Sequence, residues 1–268
     1  MIINIKKMFK ALPFAMIALI FAACGDKAVL DSTLAPAGEG ARIRFHNAVP
    51  GGPAVVVYNG DTKVSASLTT VPNGPDSIAS GGLFPALDYA VVPAGTVKYS
   101  IRPPSSSTIT LQSDLNLTSG SYYSLIAYDT VGAQKFLLIN DDRTAVKDTS
   151  KAYVKIVNVV NGAPAGYDFY FKRQGVAANL VATIKGFDAS NYIEIAPYPL
   201  TNTANDSLYV RPSGGTANVF SLSLGAGGAG STAVLQPNRI RNLVIRGVAA
   251  SATTVKSAGS GAVIYYIN

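Results

Sequence analysis

The sequence predicts an all-β protein, built as two tandem homologous β-sandwiches of the immunoglobulin-like or Greek-key kind. Three observations predict it. From residue 41 onward, short runs rich in Val, Ile, Leu, Tyr and Phe alternate with turns marked by Gly and Pro. No convincing long stretch keeps the 3.6-residue apolar period of a helix. The order of motifs in the first half then returns in the second.

The elements follow in order. Arg42, Ile43, Arg44, Phe45 and His46 alternate polar and apolar, the pattern of a half-buried strand. Pro50, Gly51 and Gly52 turn the chain, 54–58 is a second β-rich run, and Asn59, Gly60 and Asp61 make a strong turn signal. Residues 63–68 alternate again, and 69–82 read as a loop containing Pro72, Gly74 and Pro75. Further strands are predicted at 87–92, 96–102, 108–111, 122–128 and 135–140, punctuated by Pro93, Gly95, Pro103, Pro104 and Gly120.

Five segments recur in one order. Residues 41–49 match 152–160, aligning Asn47 with Asn158. Residues 54–58 match 166–170, 99–103 match 208–212, 124–128 match 242–246, and 136–140 match 264–268. The offset grows from 111 residues at Asn47 to 128 at Asn140, so the second copy carries insertions, one of them in the Gly-rich stretch 213–231. These matches predict domains at 41–143 and 152–268 with a linker at 144–151. The final residues are expected to be built into a sheet.

The N-terminus has a separate logic. Lys6, Lys7 and Lys10 precede an uncharged run from 11 to 23, which ends in Ala22 and Ala23 before Cys24. A positive start, a short apolar run and small residues at its end form a secretory signal peptide, here 1–23. The run is too short to span a membrane, which takes ~18 apolar residues or more. A lone cysteine after two alanines resembles the lipobox of bacterial lipoproteins. That resemblance implies cleavage before Cys24 and acylation of it, with membrane lipid as the partner. Each buried methylene contributes about 0.8 kcal/mol, and stable anchoring takes more than one chain. Residues 25–40 read as a flexible tether reaching roughly 20–25 Å.

Composition narrows the function. Apolar residues make up 48% of the chain, too many for a disordered protein. Removing Lys6, Lys7 and Lys10 from the 22 basic residues leaves a net charge of +4 against 15 acidic ones. That balance, with export, argues against nucleic acid as a partner. With Cys24 acylated no thiol remains to form a disulfide.

Asn47 and Pro50, Tyr58, Pro93 and Gly95, Gly120 with Tyr122 and Tyr123, and Asn140 with Asp141 and Asp142 form a further pattern. It resembles the family known as domain of unknown function 4397, well over 41–143 and loosely over 152–268. The resemblance implies an exported bacterial protein of the kind common among Bacteroidota lipoproteins, with β-sandwich-like domains. It brings no activity and no functional residue.

The residues assemble no catalytic constellation. His46, the only histidine, shares a strand face with Arg42 and Arg44, which reads as a solvated face. One histidine and no free thiol cannot make a zinc site of His and Cys ligands. The glycines at 225, 227 and 230 fit a dinucleotide-binding fingerprint formally, but no acid follows Asp206 to hold a ribose. Asp141 and Asp142 supply too few oxygens for calcium and read as a solvated strand end. No metal or cofactor is expected, and no enzymatic activity.

Two features remain as binding candidates. The pairs Tyr122–Tyr123 and Tyr265–Tyr266 each put one ring on either face of a strand, and Tyr123 and Tyr265 are the outward candidates. Residues 207–268 carry five basic residues and no acid, with Arg239 and Arg241 near one strand start, suited to an anionic glycan or headgroup or to edge protection. The sequence therefore predicts a monomeric, lipid-anchored protein of the outer membrane or cell surface that binds or scaffolds. A glycan or an envelope protein is the expected partner. A surface-fibre subunit or adhesin is the alternative.

Overall fold

Strands alone form the regular structure of the described residues. The computed structural model describes residues 40–267, apart from 66–76, 86–87, 143, 145, 147, 149, 163–164, 174, 196–206, 224–238 and 250–260. The expected signal peptide, Cys24 and the expected tether, like the glycine-rich stretch at 225–230, lie outside the described residues.

The first nine strands are β1 (Ala41–Asn47), β2 (Val56–Asn59), β3 (Thr62–Lys63), β4 (Leu83–Phe84), β5 (Ala90–Val92), β6 (Gly95–Arg102), β7 (Leu111–Leu117), β8 (Tyr122–Tyr128) and β9 (Lys135–Asn140). The next nine are β10 (Ala152–Asn161), β11 (Tyr167–Lys172), β12 (Asn179–Ile184), β13 (Asp188–Ala189), β14 (Ile193–Ile195), β15 (Ser207–Pro212), β16 (Phe220–Ser223), β17 (Arg239–Val248) and β18 (Gly261–Ile267). Their pairing repeats. One sheet runs β4-β1-β8-β9 with β5 also on β1, and its counterpart runs β13-β10-β17-β18 with β14 also on β10. The other two run β3-β2-β6-β7 and β12-β11-β15-β16. In both halves the first strand pairs in parallel with the eighth, β1 with β8 and β10 with β17.

A strand was expected at 108–111, but β7 occupies Leu111–Leu117. Its polar composition conceals a period of two. Leu115 and Leu117 are buried, while Gln112, Asp114 and Asn116 are exposed.

The sheets stack in four layers. Ile43, Phe45, Leu125 and Ala127 of the β1 sheet pack on Val57, Tyr99, Ile101 and Leu115 of the β2 sheet. Val154, Ile156, Leu243 and Ile245 of the β10 sheet pack on Phe169, Leu208 and Val210 of the β11 sheet. A third cluster joins the halves, with Ile126, Tyr128 and Ile139 against Val157, Val159 and Val244. The β1 and β10 sheets are therefore covered on both faces. This accounts for β10 being buried at nine of its ten positions, with a nearly continuous apolar run. Residues Glu39–Asn268 accordingly form one compact unit.

Stacking overturns the solvated reading of β1. Arg44 and His46 have no exposed surface. Their polar alternation is real, but the face it marks meets the second half instead of water.

Candidate functional site

Two regions concentrate polar chemistry: the seam between the halves and the outer faces of the stack. In the seam, Asp141 is fully buried at the end of β9. It accepts hydrogen bonds from Tyr89 Oη at 2.9 Å, Ser124 Oγ at 2.5 Å and, across the seam, Asn242 Nδ2 at 2.7 Å. Burial raises its carboxyl, opposed by those hydroxyl and amide donors and by the charge of Lys155. Lys155, on β10, donates to the carbonyl of Asn140 at 2.7 Å and lies 4.3 Å from the centre of the Tyr192 ring. Its ammonium is lowered, mainly by burial. The pair Asp141 and Asp142 is thus no solvated strand end. Only Asp142 is exposed, and Asp141 joins the two halves.

The seam continues at His46. Burial and the nearby charge of Arg246 push its imidazole down to about 3. Arg246 also donates to Ser80 Oγ at 3.0 Å. It enters beside Gly81, whose φ is +84°, and a Cβ there would sit 2.7 Å from a guanidinium nitrogen. Elsewhere Asp129 accepts from Asn161 Nδ2 at 2.7 Å, and the rings of Tyr128 and Phe187 lie 4.7 Å apart. Buried polar groups that find partners hold a junction in one register. These residues tie the two halves together.

The aligned asparagines have the same role in both halves. Asn47 Nδ2 donates to the carbonyls of Pro53 and Ile78, and its Oδ1 accepts from the Val49 amide. Asn158 Nδ2 donates to the carbonyls of Ile184 and Lys185, and its Oδ1 accepts from the Val160 amide. Each asparagine secures the loops that leave its central strand.

The outer sheets display what the seam does not use. In the second half, register places Tyr170 between Leu180 and Tyr209, and Tyr209 beside Ser221, forming a row across four strands. Arg211 lies over the Tyr170 ring at 4.2 Å, with Nε donating to Asn218 Oδ1 at 2.8 Å. Lys172 Nζ lies 5.7 Å from the centre of the Tyr209 ring. Asp168, opposite Arg211 on the same face, is 7% exposed. Desolvation raises its carboxyl. The Gly214 amide and the Thr183 and Ser213 hydroxyls outweigh that and hold it below the usual range. A separate concavity of about 240 Å³ between β11, β12 and β14 is smaller than most small-molecule sites.

Two of the sequence candidates move. Tyr123 points into the first core, 7% exposed, and its Oη accepts from the Thr118 amide at 3.1 Å. Its neighbour Tyr122 is the half-exposed one, packed edge-on to Tyr89 with Arg42 over its ring. Arg241 is 1% exposed, because its strand is covered on both faces. Arg239 and Tyr265 are placed by backbone only, opposite Ala152 and Asn242 respectively. The structure does not bring the four candidates together as one outward site. The Tyr170 and Tyr209 row was missed by sequence reasoning. Its signal was a tyrosine at matched offsets in two strands whose pairing was unknown.

No group of three or more His, Cys, Asp or Glu among the described residues could hold a metal ion. Fold and surface together define a class, an all-β protein of stacked sheets. Residues 41–170 match the family described as Domain of unknown function (DUF4397). The match covers the first ten strands and ends within β11. No curated protein matches the sequence.

Similar solved structures include a CBM26 carbohydrate-binding module of Eubacterium rectale Amy13K in complex with maltoheptaose. It is 11% identical, covers 85% of this chain and 97% of that chain, and has a TM-score of 0.24. A candidate adhesin from Bacteroides ovatus is 10% identical over 85% and 93%, at 0.26. A candidate cell adhesion protein from Bacteroides uniformis is 11% identical over 85% and 98%, at 0.25. Superpositions this loose transfer no ligand to the present chain.

Proposed function

We propose that this protein is a lipid-anchored, non-enzymatic binding or scaffold protein of the bacterial envelope, held at the outer membrane or cell surface through acylated Cys24. On this reading 25–40 is the tether, 41–143 and 152–268 are two homologous sandwiches, and 144–151 joins them. The observation that carries the binding role is the division of polar chemistry. Arg44, His46, Asp141, Lys155 and Asn242 are buried between the halves, while Tyr170, Lys172, Tyr209 and Arg211 stand half-exposed on an outer sheet. The first set builds a rigid body, and the second set is available to a partner. The N-terminal sequence supports the anchor.

Metabolic labelling with radioactive palmitate tests the anchor. Label should enter the wild type and be absent from Cys24→Ser. Protease treatment of intact cells should remove the body if it faces outward. Unprocessed, unlabelled protein in the cytosol would overturn the reading. Assembly into fibres is the second reading, and the exposed side chain of Leu180 on edge strand β12 favours it. Concentration-dependent polymers of the anchor-free protein would select it.

A further inference from the structure

The two outer sheets carry one pair of side chains in one relative position. Arg102 of β6 lies over the Tyr58 ring of β2 at 4.1 Å, as Arg211 of β15 lies over Tyr170 of β11. In each half the arginine stands two residues along from the partner of the tyrosine, Ser100 in the first and Tyr209 in the second. The surroundings then diverge. Arg102 is ion-paired with Asp61 at 3.4 Å, whereas Arg211 donates to the neutral amide of Asn218. Ser100 is buried and offers no ring, whereas Tyr209 sets a second phenol beside the first. Lys172 adds a cation beside Tyr209.

We propose that the outer face formed by Tyr170, Lys172, Tyr209 and Arg211 binds an acidic polysaccharide, a chain of sugars bearing carboxylates. This names the ligand class of the binding role proposed above and rests on it. The row from Leu180 to Ser221 crosses four strands, roughly 14 Å at the usual strand spacing. Adjacent phenols give an extended chain a flat amphipathic platform with hydroxyls for hydrogen bonding. A guanidinium offers a planar fork that matches a carboxylate in a bidentate pair. Arg211 is already oriented, by the ring beneath it and by Asn218, which lowers the ordering cost of binding. Asp168 shares this face opposite Arg211, but its carboxylate is engaged by the protein, with Oδ1 accepting from Thr183 Oγ1 at 2.8 Å and Oδ2 from the Gly214 amide at 3.0 Å, and the residue is 7% exposed. A lipid surface is the poorer fit, since it needs several apolar side chains to insert and this row holds one, Leu180.

The test is affinity electrophoresis of the full-length chain against alginate, a polyuronate, with dextran as the neutral control. Alginate should retard the protein and dextran should not. Tyr209→Ser, which installs the first-half residue, and Arg211→Gln should each weaken retardation roughly tenfold, the scale of a lost charge-assisted pair. Arg102→Gln should leave it unchanged. A thermal melt of each variant checks that the fold is kept, and Lys172→Gln gives a second surface variant where it is not. The proposal fails if alginate does not bind, if Tyr209→Ser binds like wild type, or if Arg102→Gln is equally weakened. It fails too if polyphosphate or anionic vesicles compete as well as alginate, since charge alone would then suffice. Binding to another polysaccharide that ignores Tyr209→Ser would keep the binding role and remove this face. Loss of the anchor would register only in palmitate labelling.

Discussion

The two halves share a strand order and part company at their outer faces. The first half closes its outer arginine in an ion pair with Asp61, while the second leaves Arg211 on Asn218 and sets Tyr209 where Ser100 stands. The inner faces behave differently. They are complementary, with Asp141 of the first half receiving Asn242 of the second and Arg246 of the second entering beside His46 of the first. A doubled fold can thus fix one face of each copy for self-packing and leave the opposite faces to diverge.

The seam gives the strongest test of that contrast. Asp141→Ala removes the acceptor for three donors and strips Lys155 of its nearby counter-charge. It should cost about 3–5 kcal/mol in urea unfolding, the range for breaking a buried charged network. Wild type should unfold in a single transition, and the double variant with Asn242→Ala should cost less than the two single losses together. Two separate transitions would show that the halves are independent.

Next come the aligned asparagines. Asn47→Ala and Asn158→Ala each remove two side-chain donors to carbonyls and the side-chain acceptor of a buried amide, Val49 or Val160, at about 2–3 kcal/mol apiece. Equal losses sharpen the equivalence of the halves. A loss confined to one half breaks it.

His46 predicts an asymmetry in pH. Its folded value lies near 3 against 6.5 unperturbed, so below about pH 6.5 the unfolded chain takes up a proton that the folded chain refuses. Stability is therefore fully present above that pH. It falls by about 1.4 kcal/mol per unit as pH drops toward 3. Asp141 works the other way, because its raised carboxyl binds a proton first in the folded state. Subtracting the stability curve of His46→Gln from that of wild type isolates the histidine. A flat difference would remove the assignment. The smallest effects belong outside, where Arg102→Ala and Arg211→Ala should each change stability by less than about 1 kcal/mol.

Much of the fold was legible in the sequence. Turn glycines and prolines separated the runs, and the five recurring segments fall on strands that occupy equivalent places in the two pairs of sheets. Strand β7 was harder because β-propensity weighs side-chain type, and Gln112, Asp114 and Asn116 hide its alternation. The seam was not legible. Arg42, Arg44 and His46 carry the polar pattern of a wetted face, and only the packing of a second sheet shows which of them are enclosed. Tyr123 and Arg241 were misjudged for the same reason, since alternation reports two faces but not what covers each. The outer row of Tyr170 and Tyr209 needed the β11–β15 register, which no single strand contains.

The parallel pairing of each first strand with its eighth has a consequence for the order of folding. Arg42 meets Tyr122, 80 positions later, and Ala152 meets Arg239, 87 positions later. Neither sandwich can close around its central strand until almost all of it has been made, and contacts this distant form slowly. A chain assembled in this way stays pliant while it is being made, and hardens only once its last strands are in place.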